Sequence, residues 1–384
     1  MSALLEPPRA SADFGQQVSA LACLHCGARY PLSLKHDGCP ACRTKGLFVS
    51  LRADYAGRPN NGGVHQPYSH PFSLGEGGTP CTSSSELADT AGVAKLWIKH
   101  ESCNPTGSHK DRMSALGVTQ ALAFGAHTVV LASSGNAAIS AARYARAAGL
   151  RCEVAAYEGL PAAYADALNA AGAHRFSFAD NASRWEFVRQ RAALPGYFAL
   201  TNYHLPALGS APVAIEGYKL IAQECIAQGC APEHILVPTA RGDLAWGIYA
   251  GFRDLLDAGQ IEALPKLWVV EPFARLSKVL AGQSLHDNYP GQTVQFSTAG
   301  ATVTYLQWQA VTASGGGALV VPDAQALAAR GVLTQNGISA ELCAAAGFAA
   351  IEQLHASGAI NTQSKLLLTL TANASRDPSH LDNV

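Results

Sequence analysis

Charge is scarce in this chain: only 14% of its 384 residues are Asp, Glu, Lys or Arg, and they sum to −1 at pH 7. So weak a net field gives no electrostatic reason to expect nucleic acid or an anionic membrane as a partner. Long apolar runs are missing too. None reaches the roughly 20 residues that a membrane-spanning helix needs. The first residues lack the succession of basic, apolar and small residues that marks a signal peptide, so a cytoplasmic protein is expected. No internal repeat or low-complexity tract interrupts the chain. What is present is apolar: 48% of the residues are hydrophobic, which fits a well-buried α/β enzyme and not a disordered chain. The length suits two lobes of about 100–250 residues each.

Ten cysteines would suggest disulfides in a secreted protein. Here four of them form two close pairs and the other six are scattered, for which a reducing cytoplasm is the simpler explanation. Cys23 and Cys26 frame one Cys-x-x-Cys turn, Cys39 and Cys42 another, and twelve residues separate the pairs. Two such turns supply four thiolates for a tetrahedral zinc site. Four protein ligands leave no position open for water, so the zinc is expected to be structural and residues 19–50 to form a zinc ribbon. A nucleic-acid-binding role would need a more basic and aromatic surface than this segment has.

A Pro-, Ala- and Ser-rich stretch at the front reads as a loose tail over residues 1–18. The Gly/Pro/Asn-rich residues 56–63 read as a linker or lid-like loop. From about residue 95, short β-rich runs (95–99, 127–132, 151–156, 174–178, 197–201) alternate with Ala-rich helical runs such as 137–148 and 162–171. A second series follows, with runs at 235–237, 244–258, 267–270, 342–354 and 365–370. Alternation of this kind implies parallel sheets covered by helices on both faces.

Residues 101–112 read Glu-Ser-Cys-Asn-Pro-Thr-Gly-Ser-His-Lys-Asp-Arg. Asn104 to Gly107 is turn chemistry, and Ser108 is a suitable N-cap for a following helix. Lys110 then falls in the first helical turn, where the positive end of the dipole disfavours a protonated amine. Schiff-base chemistry needs a neutral lysine amine. This segment resembles the Asn-Pro-Thr-Gly-Ser-Phe-Lys-Asp-Arg signature of threonine synthases and their relatives among the fold-type II enzymes dependent on pyridoxal 5'-phosphate (PLP). Leu74-Gly-Glu-Gly-Gly-Thr-Pro80, Ser133-Ser-Gly-Asn-Ala137, Val237-Pro-Thr239 and Leu370-Thr371 with Arg376-Asp-Pro378 resemble further motifs of that family, in the same order.

The resemblance implies an α/β fold-type II PLP enzyme: two lobes, each with a mostly parallel sheet flanked by helices, plus the N-terminal zinc ribbon. It assigns residues 51–110 and 205–384 to a large PLP-binding lobe and 111–204 to a small mobile lobe. Lys110 would carry PLP as a Schiff base and act as the base at the substrate's Cα. Asn136 would face the cofactor's 3'-oxygen, Ala240, Arg241, Gly242, Asp243 and Leu244 its phosphate, and Thr371 its pyridine nitrogen. Ser133, Ser134, Gly135 and Ala137 would hold the carboxylate of a small amino-acid substrate. Relatives are often dimers, which extends to a homodimer here.

Three departures narrow that expectation. The phosphate turn of relatives is glycine-rich, and here only Gly242 keeps a residue without Cβ. Asp243 beside a phosphate would be repulsive unless it turns away or Arg241 compensates. Ala137 and Ala214 stand where relatives that bind O-phosphohomoserine carry donors to its phosphate, and the Phe before the lysine is replaced by His109. The expected activity is therefore β- or γ-elimination or replacement on a small amino acid other than O-phosphohomoserine. Ammonia-lyase and β-replacement activities both fit, and the alternatives are authentic threonine synthase or a non-catalytic PLP-binding relative.

Overall fold

The computed structural model describes residues 13–59 and 63–377. Most of the tail expected over 1–18, residues 60–62 of the linker, and Pro378 lie outside the described residues. In chain order the strands are β1 (Val18–Cys23), β2 (Arg29–Tyr30), β3 (Leu51–Tyr55), β4 (Cys81–Ser83), β5 (Lys95–His100), β6 (Thr128–Ala132) and β7 (Arg151–Tyr157). They continue with β8 (His174–Phe178), β9 (Tyr197–Ala199), β10 (His234–Pro238), β11 (Lys266–Glu271), β12 (Gly317–Val320) and β13 (Lys365–Leu370). The described residues fall into a first unit, within 1–57, 66–76 and 110–217, and a second, within 58–65, 77–109 and 218–384. None of their helices is long and apolar enough to cross a membrane.

The second unit is built on a sheet of order β12-β11-β10-β13-β5-β4, parallel throughout except for the edge strand β4. Its central strand, His-Ile-Leu-Val-Pro, is buried at every residue. Such an unbroken buried run is what a parallel strand covered on both faces requires. The Leu342–Ala356 helix packs on it, with Phe348, Ile351 and Leu354 in one cluster with Leu236, Leu366 and Leu368. Gly347 permits that approach: a Cβ there would lie 2.5 Å from Leu368 Cδ1. Leu236 is in register with Leu368, and Leu370 with His100. The carboxyl ends of β10, β13 and β5 therefore stand side by side.

The first unit holds a parallel sheet of order β8-β7-β6-β9 and a small antiparallel sheet of order β2-β1-β3. Val130, Ala155, Val188, Ala199 and Tyr203 form one of its cores. The Asn181–Ala192 helix contributes Val188 to that core. It starts where Asp180 accepts a hydrogen bond from the Ser183 N–H at 2.7 Å, an N-cap of the favoured kind.

Two findings correct the sequence reading. The six scattered cysteines were expected to stay reduced, yet Cys81 and Cys230, 149 residues apart, form a disulfide. Ser108 is not the N-cap of the helix it precedes. That helix begins at Lys110, two residues later, and the buried Ser108 hydroxyl has no hydrogen-bond partner among the described residues.

Candidate active site

Lys110 opens the Lys110–Ala123 helix. Before it, Asn104 binds the Glu101 carbonyl and carboxylate through Nδ2, each at 2.9 Å, and accepts from the Gly77 N–H, also at 2.9 Å. Gly107 closes this turn with φ +80°. A Cβ there would meet Asn373 Nδ2 at 2.8 Å, so glycine is required twice over. The next residues pair with the far end of the chain. Asn373 N–H donates to the Gly107 carbonyl at 3.4 Å, Ser108 bridges Ala372, and His109 N–H donates to the Thr371 carbonyl at 2.9 Å. Arg376 adds a bond to the Thr106 carbonyl at 2.5 Å. The motif before the lysine is thus stitched to Thr371 within the second unit. His109 is buried, donates through Nδ1 to the Thr371 carbonyl at 3.1 Å, and lies 5.6 Å from the Tyr218 ring, so it is a packed residue of this stitch.

In the first unit, the helix opened by Lys110 packs against the Asn136–Ala147 helix. Ser140 on that helix donates to Asp111 at 2.6 Å and contacts Ser114 at 2.7 Å. This ties Asp111, the residue after the lysine, to a residue one helical turn beyond Asn136. Residues 133–135 connect β6 to the Asn136 helix. The Tyr157 N–H donates to Ser134 Oγ at 2.8 Å, the Gly135 N–H to Ser133 Oγ at 3.4 Å, and the Ala132 N–H to Thr201 Oγ1 at 3.1 Å. Asn136 is buried and Ala137 half-buried. Ala214 is fully buried, its Cβ 3.5 Å from where a Cβ on Gly117 would stand. It is a core residue, and no cation occupies that position.

Residues 239–242 lead from β10 into the Asp243–Asp257 helix. Gly242 is its N-cap, with φ +89°, and a Cβ there would meet Gln307 Cβ at 2.3 Å and Cα at 2.7 Å. The single glycine of the turn sits where left-handed backbone and close approach coincide. Asp243 is the first helical residue, a position at which the dipole favours an acid, and this accounts for its presence beside an expected phosphate. Arg241 Nε donates to Thr302 Oγ1 at 3.2 Å. The first-turn N–H groups of this helix have no intrahelical acceptor and form an edge suited to an anion. A phosphate fits that donor set.

Three strand ends side by side thus carry the lysine motif (after β5), Thr371 (after β13) and the glycine-capped turn (after β10), at the edge where open α/β sheets bind ligands. A family model described as pyridoxal-phosphate dependent enzyme matches residues 72–372. The chain belongs to that family. Among similar proteins, the threonine synthase of Methanosarcina acetivorans is 29% identical over 95% of this chain and 94% of its own length. The threonine synthase of Halalkalibacterium halodurans is 30% identical over 80% of this chain and 85% of its own. Among solved structures, diaminopropionate ammonia lyase from Escherichia coli matches with a TM-score of 0.69 at 19% identity, covering 81% of this chain and 88% of that one. An L-serine ammonia-lyase from Rhizomucor miehei matches with a TM-score of 0.67 at 17% identity, covering 82% and 98%. The fold is that of a threonine synthase-like, fold-type II PLP enzyme.

Away from the lysine of this PLP enzyme, the Sγ atoms of Cys23, Cys26, Cys39 and Cys42 all lie within 4.8 Å of one another. Cys23 and Cys42 are 3.6 Å apart, Cys26 and Cys39 3.7 Å. Bonds of about 2.3 Å from four thiolates to one zinc ion imply tetrahedral edges of about 3.8 Å, so the set fits that metal. Burial acts to raise the Cys39 thiol, but hydrogen bonds from the Tyr30 hydroxyl and Cys42 N–H outweigh it and bring the thiol down to about 7. The sequence reading missed Glu271 and Arg275, a buried pair that reaches the turn after β10. Two opposite charges four residues apart at the end of an apolar strand were the available signal.

Proposed function

We propose that this protein catalyses β- or γ-elimination or replacement on a small amino acid other than O-phosphohomoserine. The observation that carries the reading is the convergence of the lysine motif, Thr371 and the glycine-capped turn at three adjacent strand ends. PLP, when bound, supplies an electron sink for charge developing at the substrate's Cα. Lys110 would hold it through its ε-amine and later move the proton at Cα. Residues 240–244 would take its phosphate through backbone N–H groups, Asn136 would hydrogen-bond its 3'-oxygen, and Thr371 would face its ring nitrogen. A neutral hydroxyl in that last place leaves the nitrogen largely unprotonated, which favours elimination and replacement over transamination. Residues 133–137 would bind the substrate carboxylate at the start of the Asn136 helix.

Ala214 and Ala137 support a substrate without a phosphate. A dianion lacking charge-assisted donors binds poorly, and the buried Ala214 leaves its position without one. A second reading, authentic threonine synthase, is favoured by the names of the similar proteins, with Arg241 as the compensating cation. Incubation with serine, threonine, other small amino acids and their O-substituted forms separates the two. Ammonia, a keto acid or a replacement product from an unphosphorylated amino acid supports the first reading. Phosphate and threonine formed from O-phosphohomoserine alone would sink it.

Cys23, Cys26, Cys39 and Cys42 are read as ligands of a structural zinc ion, which metal analysis of the purified protein checks. The reading also includes a cytoplasmic homodimer. The Cys81–Cys230 disulfide is the observation that opposes a reducing compartment, and thiol counting on protein from the native cell tests it.

A further inference from the structure

The turn from β10 into the Asp243–Asp257 helix holds one glycine, yet each of its carbonyl oxygens from Thr239 to Gly242 accepts a hydrogen bond from the second unit. Arg275 Nη2 donates to the Thr239 carbonyl at 3.4 Å and Nη1 to the Ala240 carbonyl at 3.2 Å. Thr304 Oγ1 donates to the Arg241 carbonyl at 2.5 Å, and the Trp246 N–H to the Gly242 carbonyl at 2.8 Å. A peptide whose carbonyl is tied to one side presents its N–H to the other, so Arg275 sets the Ala240 and Arg241 N–H groups, whereas the Gly242 N–H is held within the turn by Thr239 Oγ1 at 3.2 Å.

Arg275 is itself held firmly. It is buried, its Nε lies 3.4 Å from the buried Glu271 as an ion pair with no hydrogen bond among the described residues, and Nη1 also donates to the Gly300 carbonyl. Glu271 accepts further bonds from the N–H groups of Arg275, Leu276 and Ser277 at 3.1, 3.0 and 3.0 Å. Burial draws the Arg275 guanidinium down to about 10, against the pull of Glu271, so it stays protonated at neutral pH. A buried ion pair adds little net stability over apolar residues of the same size. What this pair does have is a two-armed grip on the turn.

We propose that Arg275, anchored by Glu271, is a positioning residue that orients the Ala240 and Arg241 N–H groups toward the cofactor phosphate. It ties the Thr239 and Ala240 carbonyls back, supplying by side chains the shape that a glycine-rich turn reaches through backbone freedom. The inference rests on residues 240–244 being the phosphate turn.

The test is a titration of cofactor-free full-length protein with PLP and, separately, with pyridoxal, which has the same aldehyde but no phosphate. Arg275→Lys keeps a positive charge beside Glu271 and loses the fork that reaches two carbonyls. PLP affinity is expected to fall about tenfold, the equivalent of one charge-assisted hydrogen bond. Pyridoxal affinity should stay unchanged, and the phosphorus NMR signal of bound PLP should move toward that of the free cofactor. Unchanged PLP affinity, or equal losses for the two ligands, would overturn the proposal. Should Arg275→Lys not fold, Glu271→Gln removes the charge that anchors Arg275, keeps the guanidinium and puts the same ratio to the test. Wild-type protein that takes up no PLP would overturn the phosphate-turn reading and the brace with it, and the wild-type arm alone reveals that case.

Discussion

Residues 133–135 and residues 239–242 do the same topological job in different units, each carrying the chain from a buried parallel strand into a helix N-terminus. They are held in different ways. The first turn is pinned by hydroxyls and backbone: Ser134 with the Tyr157 N–H, Thr201 with the Ala132 N–H, Ser133 with the Gly135 N–H. The second shares one such bond, from the Gly242 N–H to Thr239 Oγ1 at 3.2 Å, and is gripped in addition by a buried arginine and a threonine, with Arg241 in the turn itself. A carboxylate carries one negative charge and a phosphate monoester close to two at neutral pH. A helix N-terminus alone is suited to the smaller charge, and the larger one gains from a fixed cation that also sets the backbone. The difference in scaffolding supports the proposed reading, in which the neutral turn would take a substrate carboxylate and the braced turn the cofactor phosphate.

The largest effect expected is from Lys110→Ala, which touches neither turn. Visible absorbance that is lost on borohydride treatment should disappear, and turnover should drop by about 10³-fold or more. If PLP still binds through its phosphate, the braced turn is working without the lysine. A coloured, borohydride-sensitive variant would show that another amine holds the cofactor. Next comes metal removal. Chelation, or Cys39→Ser, should lower the midpoint of thermal unfolding by many degrees, because a four-thiolate site contributes its binding energy to folding. An unchanged midpoint in a demonstrably metal-free sample would refute a structural metal there.

Gly242→Ala should be more modest. The left-handed backbone costs about 1–2 kcal/mol for an L-residue, and overpacking against Gln307 costs about 1–3 kcal/mol. Denaturant melts should therefore show a loss of roughly 3 kcal/mol, with weakened PLP uptake. A variant as stable as the parent would mean that Gln307 yields easily and that the turn is not rigid.

How much of this was open to a reader of the sequence depended on the distance over which each feature is made. The four cysteines form their cluster from two local turns, so spacing sufficed. The strands β6, β10 and β13 each hold three consecutive aliphatic residues and could be placed, as could the lysine and asparagine motifs by resemblance. β12 is only four residues long, begins at Gly317 after two further glycines, and leaves no comparable signal. The Cys81–Cys230 pair and the grip of Arg275 on Thr239 and Ala240 depend on tertiary folding, and neither cysteine spacing nor charge pattern encodes them. Ser108 shows the opposite failure. Its residue type is right for a cap, but pairing of its neighbours with residues 371–373 holds the chain extended until Lys110, and local propensity yields.

The smallest effect separates the two turns most sharply. Ser134 is buried, and its hydroxyl oxygen is the acceptor for the N–H of Tyr157, the last residue of β7. Tyr157 is fixed on its other side by the Arg184 guanidinium, 4.0 Å from the ring centre, and Arg184 in turn donates to the Ala155 carbonyl at 2.9 Å. Ser134→Ala leaves that N–H without its acceptor while the ring stays in place, so the turn loosens and the sheet does not. A stability loss of about 1–2 kcal/mol is expected, the cost of one buried unpaired donor. If this turn holds the substrate carboxylate, KM for the amino acid should rise about tenfold with a smaller change in kcat, and PLP affinity should not move. This is the reverse of the pattern expected for Arg275→Lys, which should weaken PLP. Should Ser134→Ala loosen the cofactor and leave KM alone, the two turns would have exchanged ligands, and the match between scaffold charge and ligand charge would be wrong.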